Sequence, residues 1–291
     1  MDNKRTYAIF ATIVAAILWS TGGLFIKLLP QDAFTILFYR SLYAAVIFLL
    51  IFRKSLFKFN RLSLISCFFY APLLISFVTA TKLTTAANAI FLQYTAPAFV
   101  LILEPYLIRS KIKKINIFTV VVCFIGMALF FVEQFSKPDN WLGIWLALAS
   151  GLVLTGLLVT QKMNKPEFQP GAVFLGNILV CMITLPWFFK SPFPTMIENN
   201  YLMILGFGQL GMGYFLFIYG QKYLPAIESS LIAMLEPLLN PVWVFIGYGE
   251  NPGWWAISGG IIIIFALAFR LWWIEIKEKK FSQAYPYYKN S

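Results

Sequence analysis

Ser229, Glu236, Asn240 and Trp243 stand seven, four and three residues apart inside the apolar stretch AIESSLIAMLEPLLNPVWVFIG (226–247). On a helix that spacing puts them on one stripe, with leucine and isoleucine over the rest of the surface. A carboxylate at the centre of a hydrocarbon layer costs ~2.5–3.5 kcal/mol, so Glu236 is expected to face a partner, a cavity or water. Two chemistries suit it: binding a cationic group, or taking up a coupling proton, because desolvation favours the neutral form of a carboxyl group. A locked structural pair is the alternative. Glu228 lies nearer the end of the stretch, where it meets water, and ranks below Glu236 as a site residue. Arg40 is the other ionisable residue well inside an apolar run, ~10 Å from its outer end by helical rise. It either snorkels to the interface or faces the interior beside Tyr39 and Tyr43, where it can hold a carboxylate or pair with Glu236. One fixed acid and one fixed base would together suit a zwitterion.

Other polar and aromatic groups surround these two. The first apolar run carries Trp19, Ser20, Gly22, Gly23 and Lys27; its glycines suit close helix packing, and Lys27 can reach the outer interface. Tyr70 in the third run and Gln209 in the eighth are candidate polar liners. In the fourth run Gln93 and Tyr94 flank Pro97, and the ninth holds Pro237 and Pro241. A proline inside a helix removes one backbone hydrogen bond and frees a carbonyl about one turn towards the N-terminus. Pro97 and Pro237 are therefore expected to mark helix breaks at a cavity.

These residues need elements to hold them. Apolar residues make up 60% of the 291 residues and charged ones 12%, and the mean hydropathy is +0.76, far outside soluble-domain usage. The chain reads as an all-α integral membrane protein. The net charge of +11 sits in short loops between apolar runs, which reports orientation and excludes a nucleic-acid role. There is no histidine, and Cys67, Cys123 and Cys181 lie far apart in separate apolar runs. No catalytic set, metal site, cofactor motif or disulfide framework is expected. The N-terminal run, preceded by Lys4 and Arg5, has no convincing cleavage site and is read as a mature span.

Ten apolar runs approach the ~20 residues a bilayer requires: 6–29, 33–52, 62–81, 84–105, 115–133, 141–161, 170–189, 201–221, 226–247 and 253–274. Counting Lys and Arg on alternate sides, and leaving out Arg40, eighteen fall on one side and four (Lys27, Lys82, Lys137, Lys190) on the other. That asymmetry places both termini in the cytoplasm. Tryptophans near run ends serve as interfacial anchors, and the tail 276–291 carries no readable role.

The halves repeat. Shifted by 140 residues, TKLTTAANAIFLQYTAPAF (81–99) falls on QKYLPAIESSLIAMLEPLL (221–239), so that Lys82 meets Lys222 and Pro97 meets Pro237. Shifted by 136, FYRSLYAAVIFLLIFRK (38–54) falls on FLGNILVCMITLPWFFK (174–190). Five spans is an odd number, so a second copy enters the membrane inverted. The expected organisation is a first five-helix repeat over 1–136, an inverted second over 137–275, and a cytoplasmic tail over 276–291.

The chain resembles the EamA-type ten-helix members of the drug/metabolite transporter superfamily. The resemblance rests on AILWSTGGLFIKLLP (16–30), FYRSLYAAVIFLL (38–50), TTAANAIFLQYTAPAF (84–99), IESSLIAMLEPLLNPVWVFIGYGE (227–250) and GWWAISGGIIIIFALAF (253–269), and covers nearly the whole chain. Trp19, Arg40, Pro97, Pro237 and Glu250 match recurrent positions of that pattern. The acid usual after the fourth span is missing, since the region reads EPYLIRSKIKK with Arg109 and Ser110. The resemblance implies a secondary transporter that moves a small organic metabolite, an amino acid or related compound, by alternating access through a central cavity. Its partners would be that small molecule and the lipid bilayer, with proton coupling through Glu236, in a monomer or homodimer of a bacterial inner membrane. Export of cationic or aromatic drugs is the alternative, and a membrane enzyme or receptor the more distant one. An enzyme would call for an acid/base or metal cluster, and a receptor would not call for inverted duplication.

Overall fold

A computed structural model describes residues 3–96, 98–100, 102, 114–136, 140–224, 232–233 and 235–284. Pro97, Ser229 and the basic segment 109–113 lie outside the described residues. Among the described residues the secondary structure is helical throughout, and the helices follow the apolar runs.

The first run folds as α1 (Asn3–Ser20) and α2 (Gly22–Leu28), interrupted at Thr21. The hydroxyls of Ser20 and Thr21 donate to the carbonyls of Ile17 and Leu18, each at 2.7 Å. Such bonds compete with the helical ladder, and the two glycines that follow weaken it further. Then come α3 (Ala33–Phe52), α4 (Arg61–Leu83) and the short α5 (Ala86–Gln93). Each begins on a capping side chain, Asp32, Asn60 and Thr85 respectively. The second part holds α6 (Lys114–Ser136), α7 (Trp141–Met163), α8 (Gln169–Lys190) and α9 (Met196–Met203). A π-helical segment (Ile204–Met212) joins α9 to α10 (Gly213–Tyr223), followed by α11 (Leu235–Tyr248) and α12 (Trp254–Ala284).

Six stretches among the described residues are long and apolar enough to cross a membrane: Lys4–Leu28, Ala33–Phe52, Arg61–Leu83, Trp141–Gln161, Gln169–Lys190 and Met196–Gly220. Ile117–Gly126 and Trp254–Arg270 are shorter apolar helices. Burial is divided as a bilayer demands. Phe10, Phe68, Met182, Ile246 and Phe265 are exposed, while Thr12, Thr35, Ser41, Ser66, Asn177 and Asn240 are buried. A surface of large apolar side chains around a polar interior suits lipid as the outer solvent.

The packing follows a pattern. α4 lies along α7 and α1 along α10; α5 lies against α7 and α11 against α1; α4 meets α8 while α3 meets the π-helical segment. α3 also packs on α8, α6 on α12, and α5 on α11.

Candidate functional site

Arg40 sits on α3 with 2% of its surface exposed. The π-helical segment comes close to it: a Cβ on Gly206 would stand 2.7 Å from the Arg40 carbonyl oxygen. That approach delivers Gln209, whose Oε1 accepts from Arg40 Nη2 at 2.6 Å. Gln209 Nε2 then donates to the Trp19 carbonyl at 3.0 Å, just before the interruption between α1 and α2. Among the described residues Arg40 Nε and Nη1 have no hydrogen-bond partner. Its guanidinium is within electrostatic reach of Tyr70, Tyr214 and Glu236. Arg40 thus faces the interior and does not snorkel.

Glu236 lies in the first turn of α11 as described. Its Oε2 accepts from the Tyr94 hydroxyl at 2.7 Å, and that hydroxyl also stands 3.3 Å from the Ala233 carbonyl. Tyr94 is available for this because α5 ends at Gln93 and the chain turns at Tyr94 and Thr95. The turn is one helical turn before Pro97, where that proline's missing N–H would leave a carbonyl free. The Thr95 hydroxyl donates to Leu92 O at 2.5 Å, and the Ala96 carbonyl accepts from Thr155 Oγ1 of α7 at 3.2 Å. The Leu92 carbonyl also accepts from the Thr95 backbone N–H at 3.2 Å, so side chains add to the backbone bonds at this turn.

Two more residues of the α11 stripe face α1 and α2. Trp243 Nε1 donates to Ser20 Oγ at 2.9 Å. Asn240 is 1% exposed, and neither of its amide atoms has a partner among the described residues. It lies on Gly23, where an added Cβ would stand 2.5 Å from Asn240 Oδ1 and 2.9 Å from Nδ2. Gly23→Ala is therefore expected to lower stability by about 1–3 kcal/mol through overpacking, read as a lower unfolding temperature in detergent. Adding Asn240→Ala should recover most of the loss, because the two residues share one contact. A double variant no more stable than Gly23→Ala alone would place the strain elsewhere.

An aromatic wall joins these centres. The Trp19 ring meets Tyr214 at 5.3 Å and Phe217 at 4.9 Å between centroids, and Tyr70 lies 6.2 Å from Tyr214. Buried Asn177 of α8 donates to the Tyr70 hydroxyl at 3.1 Å.

The structure thus gathers Arg40, Gln209, Trp19, Tyr70, Tyr94, Glu236, Asn240, Trp243 and Pro237 on α1, α3, α4, α11, the π-helical segment and the turn that follows α5. Tyr43 is turned elsewhere: its hydroxyl donates to Asn199 Oδ1 of α9 at 2.5 Å. Gln93 makes no hydrogen bond to the cluster among the described residues. Arg40 and Glu236 are each bound to a neutral partner, Gln209 and Tyr94; the direct pair that the sequence left open as one alternative for Arg40 is not formed among the described residues. Lys27 forms an ion pair with Glu250 at 2.6 Å. Tyr214, Phe217 and Asn177 were not singled out from the sequence as site residues. The rule that flagged Gln209, a polar side chain within an apolar run, would have found Asn177; nothing in a chain with 30 phenylalanines marks Phe217.

The arrangement offers an electropositive centre with two unfilled donors, an electronegative centre, and π faces between them. Among the described residues no cluster of His, Cys, Asp or Glu could hold a metal ion.

Among the described residues the fold is helical and apolar on its outside, with an acid, a base and polar side chains within, as a membrane transporter would be built. The chain belongs to the EamA-like transporter family, whose profile matches residues 6–132 and, a second time, residues 141–272. It is an integral protein of the plasma membrane. It is similar to "Uncharacterized transporter YxxF" of Bacillus subtilis (strain 168), 23% identical over 93% of this chain and 91% of that one. An "Uncharacterized transporter" of Archaeoglobus fulgidus is 23% identical over 89% of this chain and 94% of its own. The "S-adenosylmethionine uptake transporter" of Rickettsia prowazekii is 25% identical over 70% and 66%. A solved crystal structure shares the fold with a TM-score of 0.66 at 16% identity, covering 91% of this chain and 97% of that one.

Proposed function

We propose that the protein is a secondary transporter for a small organic metabolite bearing both an anionic and a cationic group, an amino acid or related compound, moved by alternating access. The observation that carries this reading is Arg40: a fully buried guanidinium whose Nε and Nη1 have no hydrogen-bond partner among the described residues, within electrostatic reach of Glu236. A buried charge left partly unsatisfied is costly, and such groups in membrane spans mark substrate or ion paths. A substrate carboxylate would complete the guanidinium's hydrogen bonds. Its cationic end would meet Glu236, the group also proposed to take up a coupling proton. S-adenosylmethionine, the compound named for the Rickettsia relative, carries both signs of charge and an aromatic base, and belongs among the candidates.

The cycle is proposed to use two inverted five-helix halves, 1–136 and 137–275, in a ten-span fold with cytoplasmic termini. Exchanging the halves turns the α4–α7 contact into α10–α1, α5–α7 into α11–α1, and α4–α8 into the π-helical segment on α3. The pairs α3–α8, α5–α11 and α6–α12 map onto themselves. All of these contacts occur, and the family profile's two matches divide the chain near the same point.

Export of cationic or aromatic drugs is the second reading, favoured by Glu236 beside the Trp19–Tyr214–Phe217 wall. Purified protein in proteoliposomes, screened with labelled amino acids, S-adenosylmethionine, nucleotides and cationic dyes with and without a pH gradient, separates the two. Zwitterions are expected to be carried and to compete with one another. Flux of cations alone, indifferent to amino acids, would favour the drug reading.

A further inference from the structure

Three segments distant in sequence are tied together at one end of the bundle. Lys27, at the C-terminal end of α2, has its Nζ 2.6 Å from Glu250 Oε2 and donates to the Thr84 carbonyl at 2.7 Å. The other oxygen of Glu250 accepts from the Ala86 backbone N–H, in the first turn of α5, at 2.6 Å. Lys82 Nζ donates to the Leu29 carbonyl at 2.5 Å alongside. The Lys27 and Glu250 side chains retain 12% and 14% exposure, at the edge of an open depression of about 290 Å³ lined also by Lys82, Leu83, Thr84 and Thr85.

The elements joined here are the ones that hold the central site. α5 leads into Tyr94 just past its far end, α11 carries Glu236, Asn240 and Trp243, and α2 carries Gly23. Glu250 reaches back from a turn flanked by Gly249 at φ 78° and Gly253 at φ 75°, left-handed conformations that glycine adopts at little cost. Gly249 N–H donates to the Phe245 carbonyl at 3.1 Å and closes α11 as a left-handed cap. The carboxylate is therefore mounted on a short turn beyond the end of one helix and bound to the start of another.

We infer that Lys27 and Glu250 form the latch of the outer gate: it is closed in this structure and breaks in the step that opens the interior to the side opposite the termini. This rests on the transport reading and on the orientation proposed with it. The latch has a direction. A carboxylate sits on the N–H of a helix N-terminus and an ammonium on a backbone carbonyl, so each charge has a backbone partner of the right sign. Exchanging the residues would set a cation against the N-terminus of α5 and a carboxylate against the Thr84 carbonyl. A simple ion pair would survive that exchange, and this latch does not. It is also one-sided, since the repeat shift of 140 that carries Pro97 to Pro237 sets Glu250 against Ser110.

The test reads accessibility. In protein with Cys67, Cys123 and Cys181 replaced, Asn88→Cys places a thiol on α5 just below the latch, where Asn88 is 6% exposed. A membrane-impermeant maleimide is applied from the outer face of sealed vesicles. Labelling is expected to be slow in this parent and about tenfold faster with Lys27→Ala or Glu250→Gln added, as the closed population falls. It should stay fast in the exchanged variant Lys27→Glu with Glu250→Lys. Labelling as slow in both single variants as in the parent would overturn the latch, and renewed protection in the exchanged variant would overturn its helix-end geometry. As a second measurement, Lys27→Cys with Glu250→Cys, joined by a short bifunctional thiol reagent, is expected to lose flux while the similarly treated cysteine-free protein keeps it. Unimpaired flux in the cross-linked protein would equally overturn the latch. If the cysteine-free protein carries none of the screened solutes, the transport reading fails, and the labelling result still decides whether the contact closes this end.

Discussion

Arg40→Met is expected to reduce flux by at least about a hundredfold, the scale for removing one member of a desolvated charge contact, while leaving the protein as stable as before or more so. The two effects share a cause. The guanidinium is buried, one of its nitrogens is held by Gln209 at 2.6 Å, and Nε and Nη1 have no partner among the described residues. Replacing a buried, incompletely paired charge by an apolar side chain of similar length is commonly neutral or stabilising by about 1–4 kcal/mol. Against that stands the donor lost to Gln209 Oε1, while the amide nitrogen keeps its bond to the Trp19 carbonyl. The unfolding temperature in detergent should therefore rise by a few degrees as transport disappears. Arg40→Lys should also fail in transport, because a point charge cannot present the planar fork that holds a carboxylate at two points. Wild-type flux in the methionine variant would remove Arg40 from the site; a sharp loss of stability would make it a structural residue.

Glu236→Gln is expected to lower flux of cation-bearing solutes by about a hundredfold and to flatten the dependence of the remaining flux on pH. The fold should persist, because a glutamine oxygen can still accept from the Tyr94 hydroxyl that now stands 2.7 Å from Glu236 Oε2. Tyr94→Phe separates the two roles. It removes the hydrogen bond between α5 and α11 but keeps the carboxylate, so its flux should fall less and retain a response to pH. If the glutamine variant carries substrate at the wild-type rate across pH 5–8, Glu236 belongs to the scaffold.

Much of this site can be read along the chain. Glu236 and Arg40 stand out because charge in a long apolar run is expensive wherever the run is buried, and helical periodicity alone aligns Glu236, Asn240 and Trp243. The glycines of the first run pointed to close packing, and Gly23 does sit against Asn240. Pro97, where a helix break is expected, lies outside the described residues; the chain just before it turns at Tyr94 and Thr95, while Pro237 falls in the first turn of α11. Tyr43 shows where the reasoning stops. It lies one turn from Arg40 on the same helix, yet its hydroxyl points to Asn199, because α9 and the π-helical segment pack on that part of α3.

The membrane class, the helical elements and the need of Glu236 for a partner, a cavity or water follow from composition and periodicity, because hydrophobic length and the cost of a buried charge are local properties of a segment; that Arg40 faces the interior and not the interface was decided by the tertiary structure. The partners do not follow in the same way. Tyr94 meets Glu236 across 142 residues, Arg40 meets Gln209 across 169, and Lys27 finds Glu250 from the other half of the chain. A hydrogen bond forms only when two atoms come within ~3 Å. That distance is set by how the helices cross, by a π-helical segment that closes on α3, and by glycines that admit the approach, none of which appears in the spacing of any single run.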